Sequence, residues 1–235
     1  MIGILALQGS FKEHIDMLHR LGAKTKEIRC LEDTKDIQAC IIPGGESTTM
    51  MKMLKKTGLD EWLKKVAKKG MPLYGTCAGM IILSKGYLDL IDVEVERNAY
   101  GPQLASFEDE ITLCLHKYGE SDEALAKADP QLASFEDGIE TTSPLIHIPK
   151  PAEGSNTKNS ENILDPSAKV GVRKYFQGIF IRAPKIKSFD AEVQVLAAHK
   201  KDPVLLRQNN IMIGSFHPEL ANETKIHEYF ISMTS

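Results

Sequence analysis

The chain has 235 residues, 42% of them hydrophobic and 26% charged, and a formal net charge of −3. That composition fits a soluble globular protein of one large α/β domain or two small ones, and it offers no concentrated basic face for nucleic acid. No apolar run approaches the ~18 residues of a membrane span.

Met1 to Gly9 lacks a basic leader and a small-residue cleavage site, so it is expected to be a strand and not a signal peptide. Ile2–Leu7 is its apolar run. Phe11, Ile15, Leu18 and Leu21 then recur at helical spacing and stop at Gly22. Thr25–Cys30 and Ala39–Ile42 read as strands, the latter ended by Pro43-Gly44-Gly45. Met50 to Lys69 carries Leu54, Leu59, Trp62, Leu63 and Val66 at helical period, and its many lysines read as a solvated face. Met71–Gly75 is a further strand, and Ala78–Leu83 opens another helix. Strands alternating with helices predict an α/β fold, a doubly wound and mostly parallel central sheet with flanking helices.

The second half reads differently. Leu90–Val95, Gly178–Ile181, Val193–Ala197, Val204–Arg207 and Ile211–Ser215 are short strands with few helices between them. Asn222–Met233 resembles a closing amphipathic helix with Asn222 as candidate cap. The octapeptide Pro-Gln-Leu-Ala-Ser-Phe-Glu-Asp occurs at 102–109 and again at 130–137, a local duplication and too few copies for a solenoid. Residues 151–168 have loop composition. The expectation is one domain over 1–235 carrying an irregular insertion at about 110–176. The four cysteines, at 30, 40, 77 and 114, have no paired spacing. They read as reduced thiols of a cytoplasmic protein.

Gly75-Thr76-Cys77-Ala78-Gly79 falls where a core strand turns into a helix, the pattern of a nucleophile elbow. Its glycines permit a sharp turn that projects Cys77 above the strand end. The following helix dipole favours thiolate, and the Ala78 N–H points to where an oxyanion would form. A buried cysteine between tight-packing glycines is the competing reading. His217-Pro218-Glu219 follows the last apolar strand, so the imidazole can act as base and acid while the carboxylate holds its tautomer. Of seven histidines, only His217 ends a predicted core strand, where open α/β sheets place their sites. Pro43-Gly44-Gly45-Glu46-Ser47-Thr48 also follows a strand. Taken alone it is best read as a turn with Ser47 capping the next helix, and it is not a phosphate loop.

In this order the three motifs resemble the class I, or triad, glutamine amidotransferases. More narrowly, the chain is similar to the glutaminase subunits of pyridoxal 5′-phosphate synthase. The narrower likeness rests on Leu5-Ala6-Leu7-Gln8-Gly9, Pro43 to Thr49, Gly75 to Gly79, Val95-Glu96-Arg97-Asn98-Ala99-Tyr100-Gly101, Phe180-Ile181-Arg182-Ala183-Pro184 and Ser215 to Leu220. The blocks run collinearly across 1–109 and 177–235.

The resemblance implies Cys77 as nucleophile, His217 as base and acid, and Glu219 as its orienter. Gly45 and Ala78 would supply oxyanion N–H groups. Gly45, Glu46, Ser47, Arg97, Ile181 and Arg182 would line the L-glutamine pocket, with a guanidinium suited to the substrate carboxylate. Gln8 would belong to a loop coupled to the partner. The implied partner is the synthase subunit that receives ammonia, in a hetero-oligomer without nucleic acid or membrane. No cofactor and no metal is implied.

Two departures stand out: Pro102 replaces an arginine of the family pattern, and residues 110–176 exceed the usual connection. They keep open a catalytically weak binding subunit beside the active enzyme. A different triad amidotransferase also stays open, and a cysteine peptidase is disfavoured by the Arg97 and Ile181-Arg182 blocks.

Overall fold

The computed structural model describes residues 1–97, 106–113, 174–221 and 223–234. In chain order the elements are β1 (Ile2–Leu5), α1 (Phe11–Arg20), β2 (Thr25–Ile28), β3 (Ala39–Ile42), α2 (Ser47–Thr57), α3 (Leu59–Lys68), β4 (Leu73–Thr76) and α4 (Ala78–Leu83). There follow β5 (Val93–Glu96), β6 (Ser106–Leu113), β7 (Lys174–Ile181), β8 (Lys185–Phe189), β9 (Gln194–His199), β10 (Asp202–Gln208), β11 (Ile211–Gly214) and α5 (Lys225–Ser232).

Nine strands form one sheet in the order β2-β1-β3-β4-β11-β10-β9-β6-β7, and β5 pairs with β8 apart from it. Pairing is parallel from β2 through β11. It is antiparallel from β11 to β7. The helix-poor second half of the sequence is this antiparallel wing.

The inner parallel strands β1, β3, β4 and β11 bury both faces, which is why they read as mostly apolar runs, whereas the edge strand β2 is only partly buried. Side chains alternate between faces. Leu5, Cys40, Ile42, Leu73 and Ile213 pack under Met50, Leu54, Leu63 and Leu83 of α2 to α4. Ile4, Ile41, Tyr74 and Met212 face Leu18 of α1 and Ile226 and Phe230 of α5. On the wing, Phe107 and Phe180 are register partners whose rings stack at 4.6 Å.

Four sequence readings need adjustment. The helix expected over Met50 to Lys69 is two helices, because Gly58 adopts φ 72, ending α2 and starting α3. Ser47 is not the cap of α2; Glu46 is, with its carboxylate oxygens accepting from the Thr48 and Thr49 N–H groups. The cap of α5 is Thr224, and Asn222 lies outside the described residues. The segment expected to be irregular is strand at its margins, since β6 continues through Leu113 and β7 begins at Lys174. Residues 98–105, including Pro102, and the second octapeptide copy lie outside the described residues.

Candidate active site

The site lies at the carboxyl end of the parallel strands, where open α/β sheets gather catalytic loops. Cys77 sits between β4 and α4 at φ 48, ψ −102, a conformation unfavourable for a side-chain-bearing residue. The flanking glycines explain why the chain can hold it. A Cβ on Gly79 would overlap the backbone oxygen of Ile42, and one on Gly75 would lie 2.6 Å from the Gly79 carbonyl carbon. The turn is thus clamped between β3 and its own helix, and the Cys77 N–H donates to the Gly214 carbonyl of β11 at 2.8 Å. Ala78, as the first residue of α4, has an N–H without an intrahelical acceptor.

His217 and Glu219 follow β11. The His217 N–H donates to the Ile179 carbonyl at 2.8 Å, which ties this loop to β7. His217 Nδ1 and Glu219 Oε1 are 2.7 Å apart, and both side chains are buried. Cys77, His217 and Glu219 are 7%, 6% and 4% exposed, so all three are largely shielded from water. Burial alone would lower His217; its hydrogen bonds to Cys77 and Glu219 outweigh that and raise it to about 10. Burial alone would raise the Glu219 carboxyl, but the facing His14, His217 and the Ser10 hydroxyl hold it at about 2. Glu219 is therefore anionic beside an imidazole biased toward imidazolium.

Of the remaining implied residues, Ile181 is in direct contact with Cys77, whose Sγ lies 3.7 Å from the Ile181 carbonyl oxygen. Ile181 is 37% exposed, and Arg182 next to it adopts φ 46. The Glu46 N–H donates to Gln8 Oε1 at 3.0 Å, joining the first and second strand–helix loops. A Cβ on Gly45 would approach Met50 Sδ at 3.1 Å and Gln8 Oε1 at 3.3 Å, so a side chain there would need both to give by a few tenths of an ångström. The hydrogen bonds from Thr49 and Thr48 hold the exposed Glu46 carboxyl at about 2. Arg97 Nη2 reaches Glu46 Oε1 at 3.5 Å and Thr48 Oγ1 at 3.3 Å, while Nη1 reaches the Tyr87 hydroxyl at 3.4 Å. Ser47 is buried.

Sequence reasoning missed what lies behind Glu219. Ser10 occupies the cap position of α1 but does not cap it; its hydroxyl donates to Glu219 Oε1 at 2.6 Å. His14, one turn later, stands with Nε2 3.4 Å from Glu219 Oε2. The usable signal was the four-residue interval between Ser10 and His14, which puts both on one face of a helix starting beside the site. Among the described residues no cluster of three or more His, Cys, Asp or Glu could hold a metal. No helix among them is long and apolar enough to cross a membrane.

Comparison with known proteins shows the family and the fold. The SNO glutamine amidotransferase family matches residues 4–126 and 146–235. The pyridoxal 5′-phosphate synthase subunit PdxT of Thermosipho africanus is 38% identical, over 99% of this chain and 97% of its own. PdxT of Francisella tularensis is 36% identical, over 99% and 98%. A solved structure described as a glutamine amidotransferase superimposes with a TM-score of 0.70 at 31% identity, covering 99% of this chain and 98% of its own. The fold is thus that of a glutamine amidotransferase. The chain belongs to the SNO glutamine amidotransferase family.

Proposed function

We propose that this chain is the glutaminase subunit of a pyridoxal 5′-phosphate synthase, converting L-glutamine to L-glutamate and ammonia with Cys77, His217 and Glu219. The observation that carries the reading is the strained Cys77 elbow, with the His217–Glu219 pair, 2.7 Å apart, beside it. The full-length likeness to PdxT proteins supports the choice of partner and pathway.

In the proposed reaction the Cys77 sulfur attacks the side-chain carbonyl carbon of glutamine. The oxygen takes the negative charge and is held by the N–H groups of Gly45 and Ala78, each such donor contributing on the order of 3 kcal/mol. His217 gives its proton to the leaving nitrogen, the C–N bond breaks, and ammonia departs, leaving a γ-glutamyl thioester. Water then attacks, His217 takes its proton, and the C–S bond breaks to release glutamate and restore the thiol. Glu219 holds the imidazole with Nε2 toward the sulfur through both steps.

Gly45, Glu46 and Ser47 are assigned to the substrate's flank, with Arg97, Ile181 and Arg182 completing the pocket. The Arg97 guanidinium is assigned to the substrate α-carboxylate. Its present neighbour Glu46 already gives both oxygens to the start of α2, which leaves Arg97 charge to offer. Gln8, bonded to the Glu46 N–H, is assigned to coupling the glycine loop to the docked synthase subunit. Channelled delivery fits the chemistry, because free ammonia would be lost as ammonium. A reduced nucleophile suits the cytoplasm.

The test is glutamate release from glutamine with and without a synthase subunit of this type, with Cys77→Ala as control. Partner-stimulated, Cys77-dependent release is expected. No release from folded protein in either condition would leave a non-catalytic binding subunit as the better description.

A further inference from the structure

Glu219 has two oxygens, and the triad uses one. Oε1 accepts from His217 and from Ser10, at 2.7 and 2.6 Å. Oε2 is fully buried and makes no hydrogen bond of good geometry among the described residues. A buried carboxylate oxygen left bare is costly, on the order of 1–3 kcal/mol or more. What faces it is the imidazole of His14, with Nε2 at 3.4 Å. His14 is wholly buried, and its Nε2 also lies 3.1 Å from Thr76 Oγ1, the residue preceding Cys77. Its other nitrogen, Nδ1, lies 2.9 Å from Nε2 of His227, itself wholly buried on α5.

This chain of contacts has a direction that hydrogen-bond accounting supplies. Burial lowers His14, with Glu219 and Glu13 opposing and His217 reinforcing. Burial, helped by His14 and Arg20 and opposed by Glu219, brings His227 to about 3. Both rings are therefore neutral near pH 7, each with one N–H. If His14 carried its proton on Nδ1, the lone pair of Nε2 would face the Glu219 anion, a repulsive contact in a site that excludes water. With the proton on Nε2, that N–H is shared between Glu219 Oε2 and Thr76 Oγ1. Nδ1 then accepts from the His227 Nε2–H, and only the lone pair of His227 Nδ1 goes unused, consistent with its having no partner among the described residues. Tyr74, the other polar group of this cluster, stands edge-on to both rings at 6.4 Å, and its hydroxyl makes no hydrogen bond there.

We propose that His14 is a positioning residue of the catalytic triad, its Nε2–H held against the second oxygen of Glu219 by the hydrogen bond that Nδ1 accepts from His227. The proposal rests on the glutaminase reading above and extends it two residues inward. Ser10 and His217 bond one oxygen of Glu219, and His14 faces the other at 3.4 Å. The carboxylate plane that sets the His217 ring is therefore fixed by α1 and α5, not by the triad loop alone.

The experiment compares wild type, His14→Leu and His14→Gln, each assayed for glutamine hydrolysis together with the synthase subunit. Gln keeps an N–H donor at about the reach of Nε2; Leu keeps volume alone. His14→Leu is expected to lose about tenfold or more in kcat with KM within about twofold, and His14→Gln to retain kcat within about threefold of wild type. Equal activity of His14→Leu and wild type, or equal impairment of both variants, overturns the proposal, since a purely structural side chain would not distinguish Gln from Leu in kcat alone. Should His14→Leu not fold, ring 15N NMR of wild type decides. The Nε2–H tautomer at His14 is expected, and the Nδ1–H tautomer overturns the assignment. Absence of Cys77-dependent hydrolysis in wild type overturns the underlying glutaminase reading, an outcome distinct from active wild type with an unaffected Leu variant.

Discussion

Gly44 leaves no room for a side chain because His217 occupies it: a Cβ built there would overlap His217 Cε1, with the Cys77 Cβ at 3.4 Å on the other flank. The glycine loop after β3 thus shapes the space between Cys77 and His217. Gly44 does not have a positive φ, so Gly44→Ala strains no backbone and acts by displacing the ring. A misplacement of this order is expected to cost about a hundredfold in glutaminase kcat. Chemical denaturation should report a stability loss of about 1 kcal/mol, as the overlapping atom belongs to a side chain and not to the backbone. Unimpaired hydrolysis by this variant would show that His217 does not need its observed place.

Gly79 makes the contrasting case. An added Cβ would meet the backbone oxygen of Ile42 in β3, which is hydrogen-bonded sheet and cannot yield as a side chain can. Gly79→Ala is expected to destabilise the fold by about 3 kcal/mol, read as a lower denaturation midpoint with activity lost in parallel. A variant as stable as wild type would mean that α4 does not pack on β3 this closely.

These two glycines also show how far the sequence carries. The elbow pattern around Cys77 and the His217-Pro218-Glu219 strand end are visible in one dimension because each is a short contiguous unit whose geometry follows from its residues. The apolar runs likewise predict the inner parallel strands, since burial on both faces leaves few other compositions. What a linear reading does not yield is anything made by two distant segments. Ser10 and His14 meet Glu219 across more than two hundred residues; their four-residue interval gives them a common face but does not name that distant partner. The break at Gly58 is hidden because the apolar period continues through it. Strand β8 is hidden because Lys185-Ile186-Lys187-Ser188-Phe189 is short, charged and paired only with β5.

Tyr74 offers a test of the buried cluster that leaves the triad alone. Its hydroxyl is fully buried without a hydrogen-bond partner among the described residues, and burial, with the Glu219 charge adding to it, keeps it protonated far above the usual phenol range. Removing an unsatisfied group avoids its desolvation penalty. Tyr74→Phe is expected to leave stability unchanged or raise it by about 1 kcal/mol, with glutaminase activity intact. A clear loss of stability on denaturation would reveal a partner for the hydroxyl, such as a trapped water.

The paired charges of His217 and Glu219 set the pH behaviour. His217, raised from 6.5 to about 10, contributes stability that is fully present below its unfolded value of 6.5 and fades as pH climbs through about 10. Glu219, held at about 2 against an ordinary 4.5, contributes stability that is present above 4.5 and is lost as pH falls through about 2. Proton NMR of wild type is therefore expected to show His217 still protonated at neutral pH. In Cys77→Ala the ring should titrate at lower pH, because burial is then opposed by Glu219 alone. Glu219→Gln should be less stable than wild type at pH 7, with the difference shrinking between pH 4.5 and 2 as the wild-type carboxylate takes up its proton. A wild-type His217 titrating near 6.5, unchanged by loss of Cys77, would show that sulfur and imidazole are not coupled before substrate binds.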